Sequence, residues 1–413
     1  MPEQKSPVRL AAIGVGNRTR KYLRYVEAHP EAGRVSAIVE TDSERRKAAK
    51  SQYGLSSRDC YSSAEDFFSH RRDVDAVIIG TPDETHHEIC LKAIEMGYHC
   101  LLEKPIAQTA HQCIEVSEAA ARKGVIVCVC YVLRYHPYYR KLRSILESGE
   151  LGPVISVSHI ENVGLDRMTH SYVRGQWSKV EESSPIFLSK CCHDVDILLW
   201  LTGKRATKVS SFGALNWFRK ENAPEGSADR CINCPIEEDC PFSAVDLYER
   251  RRDWISNFVV PKGETLDGVI AKELREGRYG RCVYRCDNDV VDHQVVSLEM
   301  DDSTNILMSM DAFTRNDSRM TKIQCAYGEI IADEKTISIS HFRRGKQEIY
   351  DFTQIFSRPL HGNADLNIVE DFLKGVSDPE HHKVACPVDE ALESHLVCFK
   401  AEESRLSGNI IDL

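Results

Sequence analysis

The chain reads as two folds in series: an α/β domain built on a doubly wound parallel sheet, then an α+β domain with a large, mostly antiparallel sheet. Three observations predict this. Short, uniformly apolar runs alternate with helical segments over roughly the first 130 residues, the pattern of strands buried on both faces. The first of those runs breaks into a glycine turn that opens a helix. Beyond about residue 150, apolar and polar residues alternate over long stretches, as in a sheet with one face buried and the other free. The expected boundary separates residues 1–135 from 136–413, with a cysteine-rich insertion at 231–286.

The first strand is Leu10 to Ile13, and Gly14-Val15-Gly16 follows it directly. Strand, glycine turn and helix start together give this motif its meaning as a dinucleotide-binding turn. Gly14 permits the tight turn, and Gly16 lets the backbone approach a pyrophosphate at the helix N-terminus. Thr19 replaces the third glycine of the usual pattern, so the motif by itself is weak. Asn17 and Arg18 open the helix beside the turn. Val35 to Val39 is the second strand and ends in Glu40, placed to meet a ribose hydroxyl, while Asp42 caps the next helix. Asp75-Ala-Val-Ile-Ile-Gly-Thr81-Pro82 is another apolar strand that stops in a turn, and a helical segment with His86 follows. The next strand ends in Glu103-Lys104-Pro105, and Val125 to Val132 supplies another, with Tyr131 near its end. Ligands of such sheets lie at the carboxyl ends of the strands, so these residues are expected to line one cleft.

In the second part, Val154 to Val163, Lys208 to Phe218, Val295 to Leu307 and Lys322 to Ile339 carry the long alternation. Helical patterns close the chain around Asp365 to Gly375 and Val388 to Leu406, and there is no internal repeat.

Bulk properties narrow the function classes. At 413 residues with 42% hydrophobic and 28% charged content, the chain is an ordinary globular protein of two domains. A net charge of −10, from 53 basic and 63 acidic residues, argues against nucleic acid or anionic membrane as the main partner. No apolar run has the length of a membrane span and the N-terminal segment has no export-signal character, so a cytoplasmic location is expected. In that setting the 16 cysteines are expected as thiols or metal ligands instead of a disulfide framework.

Two clusters carry chemistry. His193 and Asp196, three apart at the start of an amphipathic helix, share one helix face. Histidine is suited to proton transfer near neutral pH, with Asp196 expected to orient it; the plain alternative is a helix-start pair. Cys231-x2-Cys234-x5-Cys240, with Cys282 or Cys286 as a fourth ligand (Cys286 favoured), suits a thiolate-bound metal. Structural zinc is the first reading, an iron–sulfur centre the second, and free thiols the third. Arg174, near Trp177, is either a sugar-binding rim or part of a self-packed loop, and Asp292 either bonds hydroxyls or caps an edge.

Taken in order, Gly14-Val-Gly16, Thr81-Pro82-Asp83 with His86, Glu103-Lys104-Pro105, His193-Asp-Val-Asp196, His361-Gly-Asn-Ala-Asp365 and Ala401-Glu-Glu-Ser-Arg405-Leu-Ser-Gly408 resemble the Gfo/Idh/MocA oxidoreductases nearly end to end. The resemblance implies NAD(P)-dependent oxidation or reduction of a sugar, polyol or related hydroxyl compound. It implies a homodimer or homotetramer built through the open face of the second sheet. It gives Lys104 a place beside both substrate hydroxyl and nicotinamide, and a Lys104–Pro105 bond that is often cis. Ser189 departs from the family's aspartate four residues before His193, and Lys190-Cys191-Cys192 departs from its small residues; Lys190 is then a second cation or a substrate anchor. Glu40 favours NAD over NADP, since it would repel a 2′-phosphate. Two alternatives stay open: a redox glycosidase working through transient NAD-dependent oxidation, and a non-enzymatic nucleotide-binding regulator.

Overall fold

The computed structural model describes residues 6–70, 73–261, 263–343, 345–356 and 362–413. They form two compact units interleaved in sequence. The first takes Met1–Gly152, Cys192–Arg205 and Ile349–Phe399; the second takes Pro153–Cys191, Ala206–Glu348 and Lys400–Leu413. Residue 135 thus falls shortly after the last strand of the first sheet and does not limit the compact unit.

In the first unit β1 (Val8–Ile13), β2 (Gly33–Val39), β3 (Cys60–Tyr61), β4 (Ala76–Ile79), β5 (His99–Leu102) and β6 (Val127–Val129) form a sheet in the order β3-β2-β1-β4-β5-β6. All its pairings are parallel. This is the dinucleotide-binding order, with its switch point between β1 and β4. β4 and β6 are apolar and buried along their length, and β1, β2 and β5 are so toward their carboxyl ends, because helices cover both faces. Crossovers include α1 (Asn17–Ala28), α2 (Ser43–Gln52), α3 (His86–Glu95) and α4 (Ala110–Lys123). α1 buries Thr19, Tyr22, Leu23 and Val26, one stripe at helical spacing. α4 starts at Thr109, whose hydroxyl accepts from Gln112 N–H at 3.2 Å, and stops at Gly124 in a left-handed conformation. α5 (Cys192–Thr202), α6 (Ala364–Ser377) and much of α7 (Val388–Ser407) return to this unit.

The second unit holds β7 (Val154–Gly164), β8 (Ala206–Ala214), β9 (His293–Met300), β10 (Asn305–Thr314), β11 (Ser318–Cys325), β12 (Gly328–Ala332), β13 (Thr336–His341) and β15 (Ile411–Asp412); β14 (Gln347–Asp351) straddles the division. The nine strands run in the order β14-β13-β12-β11-β7-β10-β9-β8-β15. β7 and β10 are parallel, and the other described pairings are antiparallel. Two of the long alternating stretches prove to be several strands, turned at Asp301–Thr304 and between β11, β12 and β13. β9 alternates exposed and buried residues along its whole length. The buried face includes Val296, Leu298, Ile306, Met308 and Met310. The open face presents Phe212, Val295, Leu307, Met320 and Ile331, all more than 40% exposed.

Candidate active site

The turn between β1 and α1 is shaped for close approach. Gly14 has φ +77°, and a Cβ there would fall 2.8 Å from the Gly80 carbonyl oxygen, so no side chain fits. Gly16 is the N-cap of α1 without a side-chain cap, and nothing lies within 4 Å of where its Cβ would stand. Thr19 is fully buried where the third glycine is usually found, and its Oγ1 would lie 2.2 Å from a Cβ on Gly80. The glycine that lets helix and sheet pack closely has moved from α1 to the end of β4.

Glu40 closes this turn from the end of β2. The Val15 N–H donates to its Oε2, and the Asp42 N–H and Arg45 Nη2 donate to Oε1, each at 2.9 Å. Burial works against this charge, but Arg45 and the two amides outweigh it and hold the Glu40 pKa below its usual value. Asn17 lies at the start of α1, where its side chain accepts from Arg20 at 3.2 Å.

Arg18 is committed within the protein. It donates to Glu103 (2.9 Å), Asp365 (2.8 Å) and the Tyr22 hydroxyl (2.6 Å). Glu103 also accepts from Tyr22 and from the Lys104 N–H at 3.1 Å. Despite burial, Arg18, Tyr22 and Lys104 hold the Glu103 carboxyl below its usual pKa. This network fixes the end of β5 against α1 and α6, and so fixes the backbone of Lys104. Lys104–Pro105 is cis. The Thr81 hydroxyl accepts from Thr85 at 2.7 Å, and Pro82 caps the short turn that follows. His86 is fully buried, Nδ1 2.7 Å from the Pro105 carbonyl oxygen and Nε2 3.0 Å from that of Thr81. It ties the β4 and β5 exits together and is a positioning residue, not an open cofactor contact.

His193 packs against Tyr131, and the Lys104 charge acts on the neighbouring Cys192 and His395. The Tyr131 ring lies 5.3 Å from that of His193 and 5.8 Å from that of His395, and its hydroxyl bonds Ser394 (2.8 Å) and His395 Nδ1 (3.0 Å). Tyr131 is fully buried, so it supports the site from behind instead of lining it as a substrate contact. His395 Nε2 accepts from the Ile106 N–H at 2.9 Å, which requires the neutral, Nδ1-protonated imidazole. Burial, reinforced by the Lys104 charge, lowers its pKa to about 4. Burial also pushes the Cys192 thiol up to about 12, so Cys192, like the fully buried Cys191, packs as a small hydrophobe.

Asp196 does not serve His193. Its two oxygens accept from Arg134 Nε (2.9 Å) and Nη2 (2.7 Å), a buried bidentate pair extended by Arg134 Nη1 to Glu390 at 2.8 Å. The three-residue spacing gives one helix face, but α5 is buried nearly all round, and Asp196 meets Arg134 instead. His395 and Arg134 escaped the sequence reading; His395 lies within a terminal helix with no glycine or strand end to mark it. His361 lies outside the described residues.

In the second unit the expected substrate contacts are occupied. Lys190 pairs with buried Glu161, which also pairs with Arg319 at 2.9 Å. Asp292 is fully buried and accepts from the Asn216 and Trp217 N–H groups at 2.9 and 2.7 Å, with His293 Nδ1 2.7 Å away. Arg174 is fully buried and donates to the carbonyls of Arg281 (2.8 Å) and Phe242 (2.6 Å). Each is structural. Ser189 is buried at the end of a short helical turn. All 16 cysteines are free thiols. Cys231, Cys234, Cys240 and Cys282 line one cavity; Cys286 is not on its wall, and its thiol donates to the Cys282 carbonyl at 3.3 Å.

Family models match residues 8–131, described as an oxidoreductase family with an NAD-binding Rossmann fold, and residues 139–242, described as a GFO/IDH/MocA C-terminal domain. The chain belongs to the Gfo/Idh/MocA family. Among Gfo/Idh/MocA relatives, inositol 2-dehydrogenase 2 of Saccharopolyspora erythraea is 28% identical over 49% of this chain and 56% of its own. An inositol 2-dehydrogenase of Pseudarthrobacter chlorophenolicus is 25% identical over 68% of this chain and 79% of its own. The chain spans little more than half the length of several such relatives. The crystal structure of an Agrobacterium radiobacter oxidoreductase with NAD+, L-tartaric acid and magnesium superposes with a TM-score of 0.71 at 16% identity, covering 98% of both chains. At that identity it supports the Gfo/Idh/MocA fold alone.

Proposed function

We propose that the protein is an NAD-dependent dehydrogenase acting on a hydroxyl of a sugar, polyol or related compound. The reading rests on the glycine turn closed by Glu40, joined through Arg18 and Glu103 to the backbone of Lys104, and on His193 packed against Tyr131 in the same unit. The turn fits a dinucleotide: open space at Gly16, an uncapped helix start, and a carboxylate at the end of β2 to accept from ribose hydroxyls. NAD, when bound, supplies the hydride acceptor. Lys104 holds a positive charge where the substrate oxygen gains alkoxide character. His193 takes the hydroxyl proton. His395, neutral behind Tyr131, adds no competing charge. Inositol-like polyols are the leading substrate class, from the names of the relatives.

Glu40 favours NAD over NADP, with Arg45 and Arg46 beside it as cations that soften the repulsion of a 2′-phosphate. Lys104→Ala and His193→Ala are each expected to slow turnover roughly a hundredfold or more, with NAD affinity little changed. Steady-state kinetics over a panel of inositols and aldoses, with calorimetry of NAD and NADP binding, checks this. Full activity in both variants, or tighter NADP binding, overturns the reading.

A further inference from the structure

A thiol-lined cavity in the second unit lies outside this chemistry. The segment around it is a run of tight turns: the Cys234 N–H donates to the Cys231 carbonyl, Glu237 to Cys234, Cys240 to Glu237 and Ser243 to Cys240, at 3.1–3.2 Å. A second arm arrives from far along the sequence. Arg230 and Arg281 form an antiparallel bridge, and the Cys282 N–H donates to the Asp229 carbonyl at 2.8 Å, which sets Cys282 beside Cys231. Cys231, Cys234, Cys240 and Cys282 thereby line a cavity of about 20 Å³, room for roughly one water-sized sphere.

Arg174 lines the same cavity and makes it chemically unbalanced. It is fully buried, its Nη2 lies 3.6 Å from Cys231 Sγ, and its Nη1 is buried without a hydrogen-bond partner among the described residues. No carboxylate pairs with it among those residues. An uncompensated buried cation is costly, and neutral thiols do not compensate it. Four thiolates around a divalent ion carry two net negative charges and would.

We infer that Cys231, Cys234, Cys240 and Cys282 bind one structural zinc ion, with Arg174 as the buried counter-charge. No three of the cysteine sulfurs lie within 4.8 Å of one another among the described residues, so ion binding draws them inward. A tetrahedral site with Zn–S bonds of about 2.3 Å needs sulfurs about 3.8 Å apart. Cys234 and Cys240 are partly exposed on turns and can rotate in. The site adjoins a satellite core of Cys231, Ala244, Leu247, Tyr248, Ile270 and Leu274, packed by Trp254, Phe258 and Tyr279, and an ion there would tie that core to the Cys282 arm.

The test is metal analysis of the full-length protein after dialysis against a weak chelator. About one zinc per chain is expected. Cys234→Ser and Cys282→Ser each lower zinc affinity by more than tenfold against a chromophoric chelator, and Cys286→Ser leaves it unchanged. Should a variant fold poorly, cobalt exchanged into the intact protein reads the ligands directly by thiolate-to-cobalt charge-transfer bands. Protein that neither contains nor takes up zinc overturns the proposal. So do iron with labile sulfide, cobalt binding without those bands, or zinc lost from Cys286→Ser and kept by Cys282→Ser.

Discussion

At the scale of single residues, side chains with familiar roles are distinguished by what they touch. His193 and His395 both face Tyr131, and His395 is held neutral by an N–H donor and by burial. This has a consequence for stability. The pKa of His395 is about 4 in the folded protein against about 6.5 unfolded, and that of His170 is also about 4, lowered first by burial. Between these values the unfolded chain binds more protons, so stability is full above about pH 6.5 and is lost as pH falls toward 4. For His395 alone the difference is on the order of 3 kcal/mol. Chemical denaturation from pH 7.5 to 4 is expected to show this fall, and His395→Gln should make it shallower. An identical acid limb in wild type and variant would assign it elsewhere.

At the scale of elements, close packing of α1 on the sheet depends on which side carries the glycine. Thr19 on α1 occupies space that Gly80 at the end of β4 leaves open. Gly80→Ala should therefore destabilise by roughly 1–3 kcal/mol, the usual cost of overpacking. Thr19→Gly in the same chain should restore a large part of the loss, because the two sites share one volume. Thermal unfolding of both single variants and the double variant measures the coupling; additive effects would show that the contact does not matter. The same pairing explains why a motif with only two glycines still forms a cofactor-shaped turn.

At the scale of the whole molecule, the open face of the second sheet carries large apolar residues among polar ones such as Ser158, Ser297 and Asn305. Phe212 is the register partner of Val295, and Met320 that of Ile160, so the exposed apolar residues adjoin across strands. Exposed apolar pairs of this kind suit an association surface, and we expect a dimer or tetramer formed through it. Light scattering of the purified protein should give a multiple of the 46.8 kDa chain mass, and Phe212→Asp with Val295→Glu should shift it toward monomer. A monomeric wild type would sink this expectation.

The amino-acid pattern by itself determined the two fold types, five of the six strands of the first sheet and the strand-end residues Gly14, Glu40, Thr81 and Lys104. These follow from local hydrophobic period and turn chemistry, which short stretches of chain express without help. The two-residue β3 is too short to show a period. Partner choice was decided only by the tertiary structure. Asp196 lies on the face of α5 shared with His193, but the bidentate guanidinium of Arg134, 62 residues away, binds it more strongly than any helical neighbour could. Arg174, Lys190 and Asp292 read as polar groups beside a cleft until packing buried or paired them. Likewise Cys282 and Cys286 are equivalent in spacing, and the Arg230–Arg281 bridge selects between them. Spacing along a chain specifies which side chains can share a face; which partners they meet depends on contacts between distant segments, and those form only when the chain folds.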